Sequence, residues 1–163
     1  KLYQTQLNPH FLYNTLDTIK WEARIRQMPR IAVLAENLAV ILRKSISSKL
    51  FIPLKEELET IDSYVEVQEI RFTGRFLCEK EIPDQLEECL VPKMILQPLV
   101  ENAILHGLEG CEMDISVFTQ VVKGMFLNIS ITDNGCGMSP EILAWINSPE
   151  PEKRDGTWGF IIL

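Results

Sequence analysis

The spacing of apolar residues changes part way along the chain, from three-and-four intervals to strict alternation. That change restricts the fold to a helical part followed by a mixed α and β part. Leu12, Leu16, Ile19 and Ala23 recur at intervals of four, three and four, the stripe of a buried helix face running from Leu2 to about Arg26. After a break at Gln27-Met28-Pro29, Ile31, Leu34, Leu38 and Ile41 repeat at heptad-like positions through about Ser47. The short connection predicts an antiparallel hairpin. Two helices bury little by themselves, so a second copy is expected to complete a four-helix bundle. A third helical pattern, Leu54, Leu58, Ile61, Val65, Gln68 and Phe72, follows Pro53, and the Lys55-Glu56-Glu57-Leu58-Glu59 segment reads as its solvated first turns.

At Gly74 the period becomes two. Phe76 to Ile82 reads as a strand closed by Pro83-Asp84, and Pro92 to His106 as a helix with proline near its start. Met113, Ile115 and Val117 alternate along one further strand and Leu127, Ile129 and Ile131 along another, with Lys123-Gly124 as the turn. Ser139-Pro140-Glu141 caps a short helix to about Ile146, and residues Asn147 to Asp155 read as a loop. The expected architecture is α+β, with residues 1–50 as a dimerising helical hairpin and residues 51–163 as a separate module.

Composition narrows the partners. With 16 Lys+Arg against 23 Asp+Glu, the formal net charge is −7 and the sequence pI about 4.9, so no global positive field gathers nucleic acid, and none is expected as a partner. No apolar run approaches the roughly 18 residues that suggest a membrane span. Lys1 stands in place of an initiator Met, which predicts a segment of a longer protein. Cys78, Cys89, Cys111 and Cys136 form no C-x-x-C pair and read as reduced thiols filling space.

His10 lies roughly opposite Leu12 on the first helix, in a polar row with Gln6, Asn14 and Asp17. Pro9 immediately before it removes a helical hydrogen bond at a cost of about 3 kcal/mol. A bend there would free the Thr5 carbonyl and open space around the imidazole for a large partner. A neutral imidazole near its usual pKa of about 6.5 is a competent nitrogen nucleophile. Taken alone, His10 reads first as an ordinary exposed or satisfied surface histidine.

Three further elements agree with one another. On the Pro92–His106 helix, Gln97, Glu101, Asn102 and His106 make a polar face, and the Asn102 side-chain oxygen suits Mg²⁺, a cation that shares its sphere with waters and phosphates. Asp133 shares parity with Ile129 and Ile131, so it is expected to continue the inward face, where a carboxylate accepts from the adenine amine and rejects guanine. Gly135 and Gly137 permit close backbone approach to base and sugar. In Gly156-Thr157-Trp158-Gly159, glycines let backbone amides meet phosphate.

These segments carry a resemblance. Gln6-Leu7-Asn8-Pro9-His10-Phe11-Leu12-Tyr13-Asn14-Thr15-Leu16 resembles the phosphoacceptor box of the LytS/YesM-type sensor histidine kinases. Gln97 to Gly107 is similar to their N-box, and Asp133-Asn134-Gly135-Cys136-Gly137-Met138 to their first glycine box; Tyr64 to Phe72 and Val91-Pro92 match their connecting stretch. The resemblance implies a phosphotransfer hairpin followed by an ATP-binding α/β sandwich of the Bergerat type. It also implies a homodimer, ATP with Mg²⁺, and an aspartate-bearing response regulator receiver domain as phosphoryl acceptor. The segment is then the cytoplasmic portion of an inner or plasma membrane protein, attached to the membrane only through sequence upstream.

Carried over by position, His10 is the phosphorylated residue, with Asn14 beside it and Glu101 as a candidate base, since Phe11 stands where other histidine kinases often place an acid. Asn102 becomes the Mg²⁺ ligand, Asp133 the adenine reader, and His106, Gly135, Gly137, Gly156 and Gly159 line the nucleotide. Leu105 departs from the family's usual lysine and Ile161 and Ile162 from its polar residues, and the expected last helix and strand pair do not follow Leu163, so the ATP-binding module is expected to be truncated. A non-catalytic dimeric scaffold of the same family, or a Bergerat ATPase, remain the alternative readings.

Overall fold

A computed structural model describes residues 9–108, 114–135, 137, 140–141 and 144. Among these the chain is α+β: α1 (Pro9–Ile25), α2 (Pro29–Ile46), β1 (Phe51–Pro53), α3 (Leu54–Phe72), β2 (Phe76–Glu81), a 3-10 turn (Asp84–Leu86), β3 (Leu90–Pro92), α4 (Gln97–Leu108), β4 (Ile115–Lys123) and β5 (Leu127–Asp133). The elements sort into two compact units. One holds α1, α2, α3, β1, the 3-10 turn and β3, and the other holds β2, α4 from Pro98 onward, β4 and β5.

In the first unit, α1 and α2 form the hairpin, turned at Gln27 in the left-handed region (φ 55°) and restarted by Pro29 in the first turn of α2. The helices meet on small side chains: Ala23 of α1 and Ala32, Ala35 and Ala39 of α2 are buried. The heptad reading placed Ile31 and Leu38 in that seam, yet both stay exposed, as does Ile19 of α1. The alanines lie one position along from Ile31, Leu34 and Leu38, and their size lets the helices approach closely. The helical pattern expected from Leu2 and the bend at Pro9 depend on residues 1–8, outside the described residues; α1 is seen from Pro9.

Helix α3 lies on α2 through a polar ladder. Arg30 donates to the Ile70 carbonyl at 2.9 Å, Asn37 to Glu66 at 2.6 Å, and Lys44 to Glu59 at 2.6 Å. The donors are spaced by seven residues and their acceptors run in the opposite direction. Thr73 in the left-handed conformation (φ 54°), with its N–H on the Glu69 carbonyl, ends α3, and Gly74 follows at φ 77°.

The acidic start of α3 is not wholly solvated. Glu57 is 1% exposed, and its two carboxylate oxygens accept from the Met94 amide at 3.0 Å and the Leu96 amide at 2.9 Å. Those amides belong to the loop before α4, which corrects the expected helix start at Pro92. Pro92 ends β3, Met94 takes φ 61°, and the helix begins at Gln97 with Pro98 in its first turn. The span around Ser48–Pro53, read as a boundary, contains β1, which pairs antiparallel with β3 through Phe51↔Pro92, Ile52↔Val91 and Pro53↔Leu90. Lys93 donates to the Ser45 carbonyl at 2.9 Å and to that of Ser47, satisfying acceptors at the end of α2.

In the second unit the sheet order is β2-β4-β5, with β2 parallel to β4 and β4 antiparallel to β5. Ile115, Val117, Thr119 and Val121 of β4 are buried, and Ser116, Phe118 and Val122 are exposed, the alternation of a sheet covered on one face. Strand β4 extends to Lys123, beyond the expected Val117, so the turn falls on Gly124-Met125-Phe126, closed by the Gly124 amide on the Phe126 carbonyl at 3.0 Å. Val100, Ala103, Ile104, Gly107 and Leu108 form the buried face of α4. Pro140, Glu141 and Ala144 are helical, in keeping with the expected short helix. Cys78 and Cys89 are half-buried, and Cys111 and Cys136 lie outside the described residues.

Candidate functional site

Each compact unit presents one cluster. On α1, buried Ala23 directs one side of the helix inward and leaves His10 and Asn14 exposed. The Asn14 side-chain nitrogen lies 3.1 Å from His10 Nδ1, one helical turn away. Farther along the same face, Lys20 donates to Asp17 at 2.8 Å and, through that bond and its charge, holds the Asp17 carboxyl below the ordinary carboxylate range. Phe11, 66% exposed, adds an apolar surface beside the imidazole.

In the second unit, the turn after β5 comes down on the last turn of α4. A Cβ built on Gly135 would lie 2.9 Å from the Gly107 Cα, so only glycine allows the two backbones to meet there. Gly107 is itself constrained, since a Cβ on it would stand 3.1 Å from Ile115. The Gly135 amide donates to Asp133 Oδ1 at 2.9 Å. Asn134 fastens the turn to β4, its side-chain oxygen accepting from the Ser116 amide at 2.7 Å. The sequence marks Asn134 only as a member of the glycine box; its tie to β4 depends on a strand 18 positions away.

Asp133 pairs in register with Val117, on the covered face as its parity predicts, but its side chain is exposed. That corrects the expectation of a carboxylate turned from water: among the described residues β5 is an outer strand of this sheet, and its covered face (Leu127, Ile129, Ile131) is only half buried. The outcome is a carboxylate held by one backbone amide and open to a ligand. On α4, Asn102 and His106 are exposed and Glu101 is half-buried. Gly137 adopts φ 71°, a conformation that favours glycine. Gly156 and Gly159 lie outside the described residues.

Replacing Gly135 by Ala is expected to cost about 1–3 kcal/mol, because the contact to relieve is backbone on backbone. A lowered midpoint for the second unit in thermal unfolding checks it, and an unchanged midpoint would mean that the turn does not rest on α4.

Among the described residues no group of three or more His, Cys, Asp and Glu could hold a metal ion. The exposed Asn102 side chain offers one neutral oxygen, a donor type that a cation sharing its sphere with phosphate and water accepts. No helix among the described residues is long and apolar enough to cross a membrane.

Comparison with known proteins gives the family. The family model described as histidine kinase matches residues 1–76. The chain is 39% identical over 145 residues to the sensor histidine kinase YesM of Bacillus subtilis (strain 168), covering 88% of this chain and 25% of that protein. It is 30% identical to the sensor protein LytS of the same organism, covering 96% of this chain and 27% of that protein. With the sensor protein kinase HptS of Staphylococcus aureus (strain USA300) the identity is 34%, over 90% of this chain and 28% of that protein. The chain thus spans about a quarter of the length of these relatives.

Proposed function

Given that the chain belongs to the LytS/YesM-type sensor histidine kinases, we propose that it is the kinase core of a two-component system, passing the γ-phosphoryl group of ATP to His10 and then to an aspartate of a response regulator. The observation that carries this reading is His10 itself, exposed on the outward side of a helix packed on its other side, within the segment matched by the histidine kinase model. A macromolecular donor and a macromolecular acceptor both need that access.

The proposed division of labour follows residues 1–50 and 51–163. The first segment pairs with a second copy through the apolar positions left exposed on the hairpin, Ile19, Ile31 and Leu38. The second is a Bergerat-type ATP-binding module at the cytoplasmic side of a membrane. Asp133 accepts from the adenine amine, with Gly135 and Gly137 shaping the turn beside the base, and Gly156 and Gly159 stand near the phosphates. Asn102 holds Mg²⁺ and His106 lies beside the nucleotide on α4. When bound, Mg²⁺ neutralises charge that builds on the phosphoryl oxygens. A nitrogen lone pair of His10 forms the N–P bond while the P–O bond to ADP breaks, and the bonding pair leaves on the ADP oxygen. Positioning supplies most of the acceleration. Glu101 is assigned the later task of taking the ring proton once the phosphoryl group is in place.

The test is incubation of the dimeric protein with γ-labelled ATP and Mg²⁺. An acid-labile, alkali-stable label that moves to a receiver domain is the expected result; no label, with ATP binding intact, would favour the non-catalytic scaffold. Asp133→Asn tests the base pocket separately. Losing a charge-assisted hydrogen bond is expected to weaken ATP binding about 10- to 100-fold and to narrow the preference over GTP. Calorimetric titration with both nucleotides reads this out, and unchanged affinities would remove Asp133 from the pocket.

A further inference from the structure

We infer that Asn14 is the positioning residue that sets the tautomer of His10, so that the phosphoryl group is received at Nε2 while the ring proton stays on Nδ1. The inference rests on the reading of His10 as the phosphorylated residue. Its basis is the 3.1 Å approach of the Asn14 side-chain amide to Nδ1, across one turn of α1. The nitrogen that Asn14 engages is Nδ1, and the backbone of a regular helix holds the two side chains at this separation.

An imidazole is a nucleophile only at a nitrogen that carries a lone pair and no proton. A carboxamide has a donor end and an acceptor end of nearly the same shape, exchanged by a half-turn about its last side-chain bond. With its nitrogen toward the ring, as placed, Asn14 donates to a bare Nδ1, and the proton then resides on Nε2. In that form the one in-plane lone pair, on Nδ1, is engaged by the amide, and Nε2 has none to attack with. With the oxygen toward the ring, Asn14 accepts from Nδ1–H, and the lone pair belongs to Nε2. The second form is the reactive one, and Asn14 stabilises it.

This arrangement also accounts for Phe11, which follows His10 at a position that offers no acid. As the Nε2 pair forms the N–P bond, the ring becomes cationic, and the Nδ1–H bond to the amide oxygen strengthens with the charge. No proton has to move while the P–O bond breaks, because the electron pair leaves on ADP and the proton stays on Nδ1. Its departure to water or to Glu101 is a later event. A neutral amide suits this role, since it holds the proton without removing it.

The chain has only His10 and His106, so imidazole nitrogen NMR of the full chain, with ¹⁵N-labelled histidine and His10→Gln for assignment, reads the tautomer directly and without ATP. At a pH where the ring is neutral, Nδ1–H is expected to be the majority form in the wild type. Asn14→Leu, which places a better helix former at this position, is expected to shift the tautomer ratio severalfold toward Nε2–H. Asn14→Asp is expected to retain Nδ1–H and raise the ring pKa, because an adjacent carboxylate favours the cation. Phosphoramidate, a small phosphoryl donor, is expected to modify Nε2 in the wild type and both nitrogens in Asn14→Leu. With ATP, Asn14→Leu is expected to lower the phosphorylation rate about tenfold at unchanged KM. A majority of Nε2–H in the wild type, or the same tautomer ratio in Asn14→Leu with unchanged helicity, overturns the inference. Failure of ATP labelling with the NMR result as expected would instead count against the kinase reading.

Discussion

His10→Gln is expected to abolish the acid-labile label, a loss of at least a hundredfold, while ATP affinity stays within about twofold. Glutamine has no nitrogen lone pair able to displace ADP, since its amide nitrogen is conjugated with the carbonyl. The substitution falls on an exposed position of α1 and puts a better helix former there, so the change in stability should lie within about 0.5 kcal/mol. The proposed nucleotide residues belong to the other compact unit, which leaves binding as an internal control. Labelling and calorimetry on the same preparation separate the two quantities. Label that persists in His10→Gln would move the reading toward a Bergerat ATPase in which this histidine is incidental.

Glu57→Leu is expected to lower stability by about 3 kcal/mol, or roughly 6–12 °C in the melting of a chain of this size. The leucine fills similar space but leaves the Met94 and Leu96 amides without their acceptors in a place where water does not reach Glu57. Each orphaned buried donor costs about 1–3 kcal/mol. Glu57→Gln keeps one acceptor oxygen and should lose less than half as much. Hydrogen exchange localises the effect: protection at Met94 and Leu96 should collapse first, and uniform loss across α3 would point to packing instead.

Glu57 also illustrates where the sequence was opaque. An acidic run at a helix start is ordinarily solvated, and nothing local in Lys55-Glu56-Glu57-Leu58-Glu59 marks its third member as buried. Its partners lie 37 and 39 positions away, in a loop that was itself read as helix. The three-residue strands β1 and β3 escaped for a related reason, being too short to alternate and defined only by each other. The longer periodic segments were legible, with α1, α2 and α3 falling where three-and-four spacing places them. Period alone misjudged the α1–α2 seam, because it weighs Ile31 and Leu38 above the alanines that permit close approach. For Asp133 parity gave the correct side of the strand, and exposure followed from the neighbours of β5, which parity does not contain.

The ladder between α2 and α3 fixes a scale of motion. Its donors at Arg30, Asn37 and Lys44 stand about 10 Å apart along the helix. A greasy contact built on alanine tolerates creep, since neighbouring methyl groups are interchangeable. The ladder works as a vernier: a slip of one turn takes all three donors off their acceptors together. Axial displacement of α2 therefore reaches α3 undiminished, or else the whole ladder releases.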